Sequence, residues 1–257
     1  MTVMLFICLA GCQEQSSAPL KESSQETLTL KGQTEGAGSV NEQLENLRAE
    51  VGVNEQGEIV DVHLHDTQFT DAGLVHLEGL TNLEYLVLDN TQITDAGLVH
   101  LERLINLETL SLTNTKITDA GLVHLEGLTS LSYLDLYNTK ITNGGLVHLE
   151  GLTNLINLYV DGTRIADAGL VQLERLTNLE CLNLNDTQIT DAGLVHLKGL
   201  TKLKVLTLNN TQITNAGLVH LEGLTNLGLL DLNNTQITDT GVAELKKALP
   251  KCEIKSL

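Results

Sequence analysis

The stretch Ile93-Thr94-Asp95-Ala96-Gly97-Leu98 decides the fold, because the chain keeps returning to it. Its copies begin at Phe69, Ile93, Ile117, Ile141, Ile165, Ile189, Ile213 and Ile237, a strict 24-residue period. Within one period Leu80, Leu83, Leu86 and Leu88 lead to Thr91 and Ile93, then to Leu98 and Leu101. The same apolar places return as Leu176, Leu179, Leu182, Leu184, Ile189, Leu194 and Leu197. A fixed period of this length is the signature of a stacked array.

Working outward, Leu86 and Leu88 alternate with Tyr85, Val87 and Asp89, the period of two expected for a half-buried strand. Thr94 followed by Asp95 reads as an N-cap and an acid in the first helical turn. Leu98 and Leu101 share one helical face, and Gly79, Gly127 or Gly151 is expected to end the helix at its C-cap. One strand, one turn and one short helix cannot bury a core alone. Stacked copies can, with a parallel sheet on one side and helices on the other. The fold class is therefore α/β, an elongated solenoid whose eight units run roughly 40 Å along the sheet.

The pattern resembles the leucine-rich repeat, L-x-x-L-x-L-x-x-N-x-L, with Thr where Asn usually stands. The resemblance covers about residues 58–257 and implies a horseshoe with strands on the concave face and helices on the convex face. Arrays of near-identical units are similar to bacterial leucine-rich-repeat proteins. The I-T-D-x-G-L signature also resembles the repeats of F-box-type ubiquitin-ligase adaptors, although nothing in residues 1–40 could form F-box helices.

Both ends read as caps. Residues 41–66 form the amino-terminal one, with a short helix over Asn41–Glu50 and a hairpin of Val51–Val53 with Glu58–Leu64. Repeats fill 67–248. Residues 249–257 form the last strand, after a helix over Ala243–Leu249 stopped by Pro250.

Ahead of the caps, residues 1–11 are apolar and uncharged, and Leu9-Ala10-Gly11-Cys12 resembles a bacterial lipobox. That resemblance implies a removed signal peptide and a lipid on Cys12. Residues 12–40, rich in Ser, Gln, Glu, Thr and Gly, are too polar to bury a core and read as a tether reaching roughly 30 Å. The expected location is the cell envelope, lipid-anchored; without use of the lipobox it is the cytoplasm.

The net charge is −18, from 15 Lys+Arg against 33 Asp+Glu. A balance so acidic argues against nucleic acid, whose phosphates need a basic stripe. It also disfavours docking on anionic lipid, so membrane contact is expected only through the anchor. Aromatic residues are 2% of the chain, so the core must be aliphatic.

Strand side chains that miss the core should line the concave face. The candidate ligand-binding residues are Asp61, His63, Tyr85, Asp89, Tyr133, Asp135, Tyr137, Asn157, Tyr159, Asp161 and Asn183. All four tyrosines and five aspartates fall on this face, with no Lys or Arg, and it varies where the repeats otherwise copy one another. A rigid Tyr-rich surface with polar neighbours has the composition of a recognition site. Tyr and Asn also simply suit exposed strands, and that reading stays open.

Six histidines share one repeat position, His76, His100, His124, His148, His196 and His220, read as outward-pointing and solvated on the convex helices. Helix spacing of about 8–10 Å puts them too far apart to share a metal. The column Thr67, Thr91, Thr115, Thr139, Thr163, Thr187, Thr211 and Thr235 is expected to satisfy backbone groups in the turn after each strand. Cys181 and Cys252 lie about three repeats apart, roughly 14 Å, beyond disulfide reach. Nucleotide-loop, nucleophile-elbow and zinc-protease motifs are absent. The expected function is a non-catalytic binding scaffold, monomeric, with no cofactor and no metal. Its partner is a protein, or else a glycan. A cytosolic adaptor, or a structural array with no specific ligand, are the alternatives.

Overall fold

The computed structural model describes Leu44 and residues 49–256. The proposed signal peptide, Cys12, the tether and most of the proposed cap helix lie outside them. Among the described residues one ten-stranded sheet runs in chain order. Strand β1 (Glu50–Val53) pairs antiparallel with β2 (Ile59–His63), so Glu50 opens a strand rather than closing a helix. Eight parallel strands follow: β3 (Tyr85–Val87), β4 (Thr109–Ser111), β5 (Tyr133–Asp135), β6 (Asn157–Tyr159), β7 (Cys181–Asn183), β8 (Val205–Thr207), β9 (Leu229–Asp231) and β10 (Glu253–Lys255). Each residue pairs with its counterpart one period on, as Tyr85 with Thr109 and Tyr133 with Asn157. The register is thus the sequence repeat itself.

The alternation seen in the sequence is the alternation of burial. Leu86, Leu88, Leu98 and Leu101 are fully buried in a single leucine–isoleucine core running the length of the array. Burying each leucine is worth roughly 2 kcal/mol, and no unit has enough of them to fold by itself. The opposite side carries four-residue helices, α1 (Asp71–Leu74), α2 (Asp95–Leu98), α3 (Asp119–Leu122), α4 (Asp167–Leu170) and α5 (Asp191–Leu194), each continued by a 3-10 turn. Where Asn143 or Asn215 replaces the leading aspartate, the whole segment is 3-10.

The leading aspartate has a different task from the one its position suggested. Asp71 Oδ1 accepts the backbone N–H of Thr94 at 2.7 Å, and Oδ2 accepts the Thr94 hydroxyl at 2.6 Å. The same two bonds join Asp95 to Thr118, Asp119 to Thr142, Asp167 to Thr190 and Asp191 to Thr214. Thr94 makes no side-chain bond to its own helix, contrary to the N-cap reading. In Thr118, Thr190 and Thr214 the hydroxyl oxygen does accept from the helix, while its proton serves the preceding repeat.

Two further expectations are corrected. Gly79, Gly127 and Gly151 are not left-handed helix caps, since only Gly57 and Gly162 among the described glycines have positive φ. The left-handed position is the third residue past each strand from β2 to β9, namely Asp66, Asn90, Asn114, Asn138, Gly162, Asp186, Asn210 and Asn234. Asn and Asp tolerate that conformation, and it turns the chain from strand toward helix. The last helix, α6 (Asp239–Ala248), begins four residues before the sequence reading because Thr238 caps it at the Gly241 N–H. The threonine column behaves as expected: Thr91 Oγ1 donates to the Leu88 carbonyl at 2.7 Å, and Thr115, Thr139 and Thr187 repeat the bond.

The glycine inside each short helix is a spacing requirement. A Cβ on Gly121 would stand 2.5 Å from Asp95 Oδ1 and 3.1 Å from a Leu98 methyl. Alanine normally stabilises a helix over glycine by about 1 kcal/mol. Gly121→Ala is expected to lower the thermal midpoint despite that gain, whereas Gly127→Ala, with nothing within 4 Å, should leave it unchanged or raise it. Calorimetry of the two variants checks this, and a stabilised Gly121→Ala would refute the packing account.

Candidate functional site

The inner face of the sheet is crowded. Tyr133, Asp135, Tyr159, Asn183 and Asp89 are buried, with Asp135 only 2% exposed. Tyr133 and Tyr159 belong, with Val87, Cys181, Val205 and Leu229, to a second apolar cluster, separate from the leucine core. The Tyr133 and Tyr159 rings lie 5.3 Å apart at 39°, within the range where aromatic pairs attract. Asp61, His63, Tyr85, Tyr137, Asn157 and Asp161 keep partial access to solvent. The eleven candidate residues therefore divide into an inner layer that builds the face and an outer layer that presents it.

Polar groups in the inner layer are bonded along and across strands. Asp89 Oδ1 accepts from the Ser111 hydroxyl at 2.5 Å and from the Thr113 N–H at 3.1 Å. Burial nevertheless pushes its pKa up, with the Ser111 bond opposing. Asp135 accepts the Tyr137 N–H at 2.9 Å and lies 3.5 Å from the Tyr133 hydroxyl. Burial, then the charges of Asp135 and Asp89, pushes the Tyr133 phenol up. Asn183 Oδ1 accepts from the Thr207 hydroxyl at 2.6 Å and the Asn185 N–H at 3.1 Å.

Asp161 stands apart from these. Desolvation, then the neighbouring Asp135 charge, raises its pKa to about 8. Its Oδ1 is buried with no hydrogen-bond partner, and so is Asn233 Oδ1 two repeats beyond Asn185. Asn233 Oδ1 and an ionised Asp161 are acceptors, which a donor would satisfy; the Asn183 side chain already bonds Asp161 and opposes the rise of its pKa. At the amino-terminal end His63 Nε2 lies 2.8 Å from Asp61 Oδ1. That hydrogen bond raises the imidazole pKa against the opposing effect of burial.

The histidine column is not simply solvated. Nδ1 of His100, His124, His148 and His196 lies 2.5–2.7 Å from Oε1 of Glu78, Glu102, Glu126 and Glu174, each in the preceding repeat. These are ties between neighbours on the convex side. Among the described residues no three His, Cys, Asp or Glu are grouped to hold a metal ion. Cys181 and Cys252 are buried and form no disulfide. No described helix is long and apolar enough to cross a membrane.

Sequence reasoning missed the layering because alternation reports which side of a strand faces inward, not how closely neighbours pack across the sheet. It also missed the histidine–glutamate ties, although four of the six histidines, His100, His124, His148 and His196, have a Glu 22 residues earlier that carried the signal.

Asp161 gives the face a pH dependence of definite sign. Below about 4 it is protonated folded and unfolded alike. Between its ordinary value of 3.8 and its raised value of about 8, the unfolded chain is ionised while the folded chain holds the proton. Stability from this group therefore falls as pH rises through that window and is level above it. Asp161→Asn should be more stable than wild type at pH 7 and equal to it below pH 4; chemical denaturation at both pH values measures the difference.

Comparison with known proteins agrees with this architecture. A family model for leucine-rich repeats in two copies matches residues 105–143, and a single-repeat model matches 79–101, 175–197 and 223–246. No curated protein sequence matches the chain significantly. Among solved structures, an internalin from Listeria monocytogenes is 28% identical over 75% of this chain, with a TM-score of 0.58. This chain spans 58% of that internalin's length. An internalin C2 from the same species is 28% identical, covering 86% of this chain and 92% of its own, with a TM-score of 0.66. The ectodomain of the Arabidopsis receptor kinase HAESA, solved with a peptide hormone ligand, shares the fold at 19% identity, covering 86% of this chain and 41% of its own, with a TM-score of 0.63. The fold is a leucine-rich-repeat solenoid.

Proposed function

We propose that this solenoid is a non-catalytic scaffold whose concave face binds a protein ligand through a donor-rich, cationic segment. The observation that carries the reading is the character of that face: five aspartates, four tyrosines and no Lys or Arg. At its middle, Asp161 and the more distant Asn233 present buried acceptors without donors. A lysine or arginine would supply donors and charge together. Half-buried Tyr85, which opens β3, and Tyr137, two residues past β5, offer contact area at low entropic cost. The Arabidopsis ectodomain, captured with a peptide hormone, supports the notion that a solenoid of this fold can hold a peptide.

The test separates the presenting layer from the building layer. Arrays of extended peptides graded in charge are probed with the purified chain, with Tyr85→Ala/Tyr137→Ala and with Tyr133→Ala. The expected result is selection of Lys/Arg-containing peptides, and a loss of about tenfold or more in affinity for Tyr85→Ala/Tyr137→Ala at an unchanged melting temperature. Tyr133→Ala should instead cost stability, on the order of 3 kcal/mol, because it opens a cavity in the concave cluster. Indifference of the chain to peptide charge would overturn the proposal.

The same reading places the scaffold on the cell envelope through a lipid on Cys12, with residues 12–40 as tether. It is supported by the Leu9-Ala10-Gly11-Cys12 run and the polar segment after it. Intact mass after bacterial expression decides: a lipid-sized increment on a chain starting at Cys12, absent from Cys12→Ala, is expected. An unmodified chain starting at Met1 would favour the cytosolic adaptor.

A further inference from the structure

Three side-chain ladders tie successive repeats outside the sheet and the leucine core: the Asp–Thr clamp, the His–Glu tie and the asparagine chain after each strand. The first three junctions have all three. Asn90, Asn114 and Asn138 each donate to the equivalent residue one repeat earlier at 2.6–2.8 Å. Asp71, Asp95 and Asp119 clamp the following threonines. His100, His124 and His148 reach back to glutamates.

At the next junction, between the repeats holding β5 and β6, all three lapse together. Gly162 replaces the asparagine and ends the chain of amides. Asn143 and Ala166 replace the Asp–Thr pair, leaving one bond, Ala166 N–H to Asn143 Oδ1 at 2.8 Å. Gln172 stands where a histidine would face Glu150, whose ion-pair partner is Arg175 at 3.9 Å. The preceding helix, Gly145–Leu149, is 3-10 throughout and opens on two adjacent glycines, Gly144 at its cap and Gly145 as its first residue. Other junctions lose one tie or two, as at Gly162–Asp186 or Lys198–His220, and each keeps the others. What the weak junction retains is the strand pairing Tyr133↔Asn157, the core, the bond from Asn178 to the Thr153 carbonyl at 2.8 Å, and backbone ties in the turn: Asn138 N–H to the Asp161 carbonyl at 3.0 Å, Arg164 N–H to the Ile141 carbonyl at 3.2 Å and the Thr142↔Arg164 bridge.

We infer that this junction is a hinge: the intact strand ladder is its axis, and the loosened turns and helices let the two halves of the solenoid change curvature there. The concave face crosses this line. Tyr133, Asp135 and Tyr137 stand on one side, and Asn157, Tyr159 and Asp161 on the other. Bending at the axis therefore sets the spacing of the Tyr133–Tyr159 pair and of the two carboxylates. The hinge stands on the lapsed ladders and does not depend on what the face binds. Missing hydrogen bonds lower the cost of opening one segment relative to its neighbours, which is how local motion is built into repeat arrays.

Matched pairs of spin labels test it on the full chain with Cys8→Ser and Cys12→Ser, leaving Cys181 and Cys252 buried. Gly79→Cys/Gly151→Cys and Gly127→Cys/Gly199→Cys each span three junctions. Gly79, Gly127 and Gly199 have nothing within 4 Å of a Cβ, and Gly151 only a backbone oxygen at 3.9 Å. Only the second pair crosses the weak junction. The expected distance distribution is broader for that pair, and it narrows to the width of the first when Asn143→Asp, Ala166→Thr and Gln172→His restore two ladders. Equal widths for the two pairs in the unrepaired chain would overturn the hinge. A broad distribution that the restored ladders leave unchanged would overturn the lapsed ties as its cause.

Discussion

A carboxylate at the start of each short helix reaches into the next repeat and binds both the N–H and the hydroxyl of one threonine. Most of the convex side depends on this clamp. Two charge-assisted bonds per repeat fix the rotation of one unit against the next, which the sheet and a uniform leucine core would leave loosely specified. The clamp also explains the glycine two residues after the aspartate, since the carboxylate of the preceding repeat occupies the space where its Cβ would be, as Asp95 does at Gly121. Asp, Thr and Gly in the signature are thus one device shared between two neighbouring repeats.

Seen this way, a local motif and a long-range contact are the same residues. A carboxylate in the first turn of a helix ordinarily favours its own helix dipole, and a threonine before it ordinarily caps that helix. In this chain both also bond across the repeat boundary. The coupling shows at one exception: where Asp becomes Asn143, the facing Thr becomes Ala166, and a bond between side chains disappears with both partners at once. At the other, Asn215 keeps Thr238, accepting its N–H and donating its own amide to the hydroxyl. A carboxylate facing no hydroxyl would have been costlier than the pair's joint loss.

On the opposite face, packing across the sheet sorts the side chains. Strands β3 to β10 are three residues long, so each repeat offers few positions, and several of them pack against their neighbours across the sheet. That packing holds Asp135 and Asp161 in a partly desolvated strip, where Asp161 is raised to about 8. The face is therefore less negative near neutral pH than its residue count implies, and a donor arriving from a ligand would compete with a proton there.

The repeat length, the strand and helix positions, the threonine column and the parallel stacking were all legible in the sequence, because each follows from periodicity and from leucine's need for burial. The membership of the concave face was legible too, since it needs only the alternation of a strand. The layers within that face were not, because they depend on side chains 24 residues apart coming into contact. Likewise the aspartate and histidine ties run between repeats, at separations of 22 and 23 residues, where no local rule of helix or turn applies. A sequence specifies which groups recur; only stacking in three dimensions decides which of them meet.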